Sequence, residues 1–119
     1  MRPLLALALG LTVLAGCGGG DDDGQTGSSA PCGPNAVTIT MKDTKFQPEK
    51  ATAHVGDQVC WINEDAIQHD AVAESGASFK SELFNKGETF TAKMDKAGDV
   101  KYVCTVHPGM TGEITVEGG

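Results

Sequence analysis

Apolar and polar positions alternate in short runs over most of the chain. Val37, Ile39 and Met41 alternate with Thr38 and Thr40, the period of a half-buried strand. Ala51, Ala53 and Val55 repeat the pattern and end at the turn signal Gly56-Asp57. Val59 to Ile62 is a compact apolar run that holds the only tryptophan, Trp61. Asp70 to Glu74 alternates briefly and closes on Ser75-Gly76, and Phe90, Ala92 and Met94 alternate before Ala97-Gly98-Asp99 turns the chain. Val100, Tyr102 and Cys104 share one face of the next strand, and Ile114 and Val116 mark the last. No segment carries a sustained helical stripe with caps; residues 77–88 read as a loop with at most one short helical turn. Seven or eight short strands punctuated by glycine predict an all-β sandwich. Phe46, Trp61, Phe79, Phe84, Met41 and Met94 are its expected core. Met41 and Met94 lie inside strand patterns, so both are packing residues rather than ligands.

The first thirty residues break this rhythm. Arg2 precedes an apolar run from Leu4 to Leu14, too short to span a bilayer comfortably and followed by small residues. Residues 1–16 therefore read as an export signal. Leu14-Ala15-Gly16-Cys17 resembles the bacterial lipobox, which implies that Cys17 becomes an acylated N-terminus; the plainer reading is an ordinary signal peptide cut elsewhere. Residues 18–30 (GGGDDDGQTGSSA) contain no large apolar side chain. They read as a flexible, solvated tether between lipid and domain. Residues 31–119 are left for a single folded domain, expected as a monomer on the periplasmic or cell-surface side and membrane-anchored through Cys17. The formal net charge of −7 argues against a nucleic-acid partner, because phosphates would be repelled.

Chemistry concentrates in Cys104-Thr-Val-His107-Pro-Gly-Met110. A thiolate, an imidazole and a thioether within one short loop suit copper rather than calcium or magnesium, and Pro108-Gly109 supplies the sharp turn that lets them face one ion. A type 1 (blue) copper centre needs a second imidazole to complete a trigonal His₂Cys set with a long axial methionine bond. His69 follows a polar stretch leaving the Trp61 run and is the leading candidate. His54 sits mid-strand at an alternating position and reads as an ordinary surface or core side chain. Glu64, Asp65 and Asp70 lie near the same end and read as a solvated rim.

From Val37 to Glu117 the chain resembles the plastocyanin/amicyanin branch of the cupredoxins, and the amicyanin type most closely. The resemblance rests on Phe46-Gln-Pro-Glu, Val55-Gly-Asp-Gln-Val, Trp61-Ile-Asn, the His69 loop, Ala97-Gly98 and Cys104-x-x-His-Pro-x-Met. It implies an eight-stranded Greek-key sandwich with one copper at its end, held by His69, Cys104, His107 and Met110. It also implies a function: shuttling single electrons between redox proteins. Relatives usually carry asparagine after the first histidine ligand, where this chain has Asp70, and often proline before it, where this chain has Gln68. A carboxylate at Asp70 favours Cu(II) and predicts a lowered or pH-dependent potential. Cys32 and Cys60 are left after Cys17 and Cys104 are assigned, and an exported domain meets an oxidising compartment. They are expected to form a disulfide, the other reading being two free thiols with Cys60 buried. Copper delivery or buffering is the rival function. An enzyme would need an open coordination position or a second copper with its own histidines, so none is expected.

Overall fold

A computed structural model describes residues 32–118. The expected export signal, Cys17 and the tether all lie outside the described residues. Eight strands follow one another: β1 (Val37–Lys42), β2 (Lys45–Gln47), β3 (Lys50–His54), β4 (Gln58–Asn63), β5 (Val72–Ser75), β6 (Thr89–Lys93), β7 (Gly98–Val103) and β8 (Thr111–Glu117). They form two four-stranded sheets, in the orders β2-β1-β4-β6 and β3-β8-β7-β5. β1 pairs β4 in parallel and β3 pairs β8 in parallel, while the remaining neighbours are antiparallel.

The period-two pattern decides what each strand buries. β1 contributes Ile39 and Met41, β4 Val59 and Trp61, β7 Val100 and Tyr102, and β8 Ile114 and Val116, all buried between the sheets. Aromatic rings fill the middle of this layer. Tyr102 meets Phe46 at 4.5 Å and Trp61 at 5.3 Å between ring centroids, both edge to face, an arrangement that adds about 0.5–1.5 kcal/mol per pair beyond the area buried. Cys60, between Val59 and Trp61, points to the other face of β4 and is bonded to Cys32 with a Cα–Cα distance of 5.6 Å. The expected disulfide is present, and it pins the start of the domain to a central strand.

Three local expectations need correction. β2 was not anticipated as a strand, because three residues with one inward side chain, Phe46, carry no readable period. Residues 77–88 contain no helical turn; they carry isolated bridges from Lys80 to Val72 and from Phe84 to His69, and then turn tightly over 85–88. Ser81 and Phe84 are buried there, three residues apart, a spacing that a regular strand does not place on one face. Phe79 is half-buried at the edge of the core, against Trp61 at 4.9 Å, rather than inside it.

Candidate metal centre

The loops that leave β4 and β7 meet at one end of the sandwich. Asn63, the last residue of β4, is fully buried and organises the first loop. Its amide nitrogen donates to the carbonyls of Ile67 (2.8 Å) and Phe84 (3.0 Å), and its Oδ1 accepts from the Asp65 amide (2.8 Å). A polar side chain so deep is tolerable only when its hydrogen bonds are made, and here they tie the loop down just before His69. Backbone bonds between His69 and Phe84 then hold the histidine from its other side.

His69 is fully buried. Its Nε2 lies 2.8 Å from Asp65 Oδ2, and its Nδ1 lies 3.7 Å from Cys104 Sγ. A carboxylate facing Nε2 requires the proton there, which leaves the Nδ1 lone pair directed at the thiol. His107 is set the same way. Its Nε2 lies 3.1 Å from the Gln68 carbonyl, so the same tautomer is selected. The two imidazole rings stand edge to face at 4.7 Å. The ligand-type atoms of His69, Cys104 and His107 all lie within 4.8 Å of one another.

The second loop closes on itself. The Cys104 amide donates to the Met110 carbonyl (3.0 Å), the His107 amide to the Cys104 carbonyl (3.4 Å) and the Met110 amide to the His107 carbonyl (3.0 Å). Cys104 and Met110 are buried, whereas His107 is half-buried. Burial pushes the Cys104 thiol pKa up, and the nearby Asp70 carboxylate adds to that, against the lowering effect of the Asp70 and Val106 amides. The thiolate therefore forms as a metal ion takes the place of the proton.

Asp65, expected on a solvated rim, is instead built into this end, and so is Asp70, expected both on that rim and beside the copper. Asp70 is buried, takes the Thr105 amide on Oδ1 (2.7 Å) and the Thr105 hydroxyl on Oδ2 (2.6 Å), and directs its own amide at Cys104 Sγ (3.5 Å). Asp65 is the acceptor for His69. Only Glu64 of the three is exposed. The supporting roles of Asn63, Asp65 and Thr105 were missed from the sequence, although the four-residue step from Asp65 to His69 was a readable signal. His54 stands apart: it is exposed on β3, 3.3 Å from Glu117 near the far end of β8.

Two sulfur side chains, Cys104 and Met110, and two imidazoles on loops that meet at one end are the donor set of a copper centre. Residues 35–117 match the model of copper binding proteins of the plastocyanin/azurin family. The chain belongs to that family. Amicyanin from Paracoccus versutus is 27% identical over 127 residues, covering 98% of this chain and 96% of its own. Plastocyanin from Scenedesmus fuscus is 36% identical over 84 residues, covering 60% of this chain and 86% of its own. Among solved structures, a Cu(I) form of an amicyanin variant superposes with a TM-score of 0.68 at 28% identity, over 73% of this chain and 87% of that one. The cupredoxin fold, with eight strands in two sheets, is thus shared, and copper is the metal that the donor set and the family both indicate.

Proposed function

We propose that this protein is an extracytoplasmic electron carrier in which His69, Cys104, His107 and Met110 hold one type 1 copper ion. The observation that carries this reading is the convergence of His69, Cys104 and His107 within 4.8 Å. Each imidazole has its Nε2 engaged by a separate acceptor. Copper bound there supplies a one-electron couple, and the four residues are suited to it because they change little between the two charge states. Cys104 would bind it as thiolate and give the strongest electronic coupling, His69 and His107 would each supply an imidazole nitrogen, and Met110 would supply a thioether that tunes the potential.

The surroundings of His107 support an outer-sphere route. It is half-buried, and Val106 and Ile67 beside the ligand loops are each 47% exposed. An apolar rim around a half-buried imidazole favours brief docking of a redox protein. Export by residues 1–16 and a lipid on Cys17 belong to the same proposal, as does a monomeric carrier with no catalytic role. Adding Cu(II) to the domain tests it: an intense blue thiolate-to-copper absorption is expected, together with reversible one-electron cycling and slow metal loss. A colourless product, or a blue one unaffected by Cys104→Ser, overturns the assignment of the centre. Fast transfer of copper to an acceptor replaces electron transfer with copper delivery.

A further inference from the structure

Asp65 makes three hydrogen bonds that join two parts of the fold. Its Oδ1 accepts the Asp43 amide (2.8 Å), and its Oδ2 accepts both the Thr44 amide (2.9 Å) and His69 Nε2 (2.8 Å). Asp43 and Thr44 form the turn between β1 and β2, and both occupy the left-handed region, with φ of 55° and 58°. Two consecutive non-glycine residues there are strained, and bonds to one carboxylate hold them in place. The turn presents both amides to one side chain. The side chain of Asp65 is only 15% exposed and that of His69 is fully buried. The bond to Asn63 from the Asp65 amide fixes where the carboxylate starts.

We propose that Asp65 is a positioning residue of the copper centre, locking the His69 ring so that Nδ1 meets the metal and coupling that lock to the β1–β2 turn. The inference rests on the reading of His69 as a ligand. A charged acceptor behind an imidazole makes the opposite nitrogen a better donor, and the better donor favours Cu(II) over Cu(I). The turn, although it contributes no ligand, becomes part of what sets the geometry and potential of the site. A substitution that disturbs either turn amide therefore reaches the metal through one shared carboxylate.

Asp65→Ala, Asp65→Asn and Glu64→Gln separate this role from mere charge, since Glu64 is an exposed neighbouring carboxylate. In the metal-free protein, Asp65→Ala is expected to speed exchange of the Asp43 and Thr44 amides at least ~10-fold and to abolish the protected His69 Nε2–H resonance. In the copper-loaded protein it is expected to lower Cu(II) affinity by about 10–100-fold, and Cu(I) affinity less, so that the potential rises. Asp65→Asn keeps an acceptor for His69, retaining the Nε2–H signal while still raising the potential. Glu64→Gln is expected to change neither exchange nor affinity and to move the potential much less. Unchanged exchange and affinity in Asp65→Ala overturn the proposal, and so does a potential shift in Glu64→Gln equal to that of Asp65→Asn. Should Asp65→Ala fail to fold, Asp65→Asn against Glu64→Gln decides the matter. Should the native protein take no copper, the electron-carrier reading fails, while the metal-free measurements still decide whether Asp65 holds ring and turn.

Discussion

Asp70 directly follows His69, and while its backbone amide points at Cys104 Sγ, its carboxylate reaches the residue after Cys104. Its two oxygens are both occupied by Thr105, so a carboxyl side chain braces the two ligand loops. A negative charge there stabilises the more positive metal state. One unit charge about 6–8 Å away, at an effective dielectric near 20, is worth about 2–3 kcal/mol, on the order of 100 mV for one electron. Asp70→Asn keeps an acceptor for the Thr105 amide, and the Thr105 hydroxyl can turn to accept from the new NH₂ group. The expected outcome is a higher reduction potential by roughly that amount, read by voltammetry, with little change in thermal stability; an unchanged potential would mean that the charge is screened. Asp65 gives a second outcome, in pH. Burial alone would raise its carboxyl, but hydrogen bonds from the Thr44 amide, His69 and the Asp43 amide outweigh that and hold it below the ordinary value of 3.8. A depressed folded value adds stability that is present above the unfolded pKa and lost as pH falls through the folded one. Metal-free protein should therefore lose stability below about pH 4, more steeply than Asp65→Asn, when denaturant midpoints are compared across pH.

The strands were legible because their inward residues recur every second position over five or more residues, as in Val37–Lys42 and Gly98–Val103. β2 escaped because Phe46 is its only inward residue, and residues 77–88 because their order comes from bridges to His69 and Val72 rather than from any period of their own. The ligand candidates Cys104, His107 and Met110 stood out by local spacing. The Asp65 clamp did not, since it depends on a turn twenty-one residues upstream in the chain. Two element-scale outcomes follow from the disulfide and from the packing at Gly112. The Cys32–Cys60 bridge spans a sequence separation of 28, and in the chain-entropy model closing such a loop stabilises by about 3–4 kcal/mol. Replacing both cysteines by alanine should lower the urea-unfolding free energy by about that much while leaving the blue absorption intact. Gly112 on β8 lies under the Tyr102 ring, where an added Cβ would sit 2.3 Å from Cζ. Tyr102 is fully buried among Trp61, Phe46 and Phe79, so it has no room to move away. Gly112→Ala should destabilise by about 1–3 kcal/mol through overpacking, measured as a shift of the same unfolding midpoint with unchanged slope.

At the scale of the molecule, the sandwich and the metal centre are held together by largely separate interactions. The aromatic contacts of Trp61 and Tyr102 and the Cys32–Cys60 disulfide use none of the four candidate ligands, although Cys104 and Met110 join the same buried core. At the copper end, loop order comes from Asn63, from Asp70 on Thr105, and from Ser81 accepting the Ala71 amide at 2.9 Å, none of which requires a metal ion. The ligands are thus arranged by the protein, and copper enters a site whose geometry is already constrained. Such a frame keeps the ligands nearly still when the metal changes charge, which is the property a fast electron carrier needs. Removal of copper should accordingly leave the β-sheet circular dichroism and most amide protection unchanged, while lowering the melting temperature. With free copper at about 100 times its dissociation constant, the linkage contribution is about 2.7 kcal/mol. For a domain of this size that corresponds to roughly 10–20 °C in the melting temperature. Calorimetry of metal-free and copper-loaded protein checks the shift, and circular dichroism of the same samples checks the frame. Collapse of the sheet signal on copper removal would show instead that the metal organises the fold and that the protein alone does not hold the site rigid.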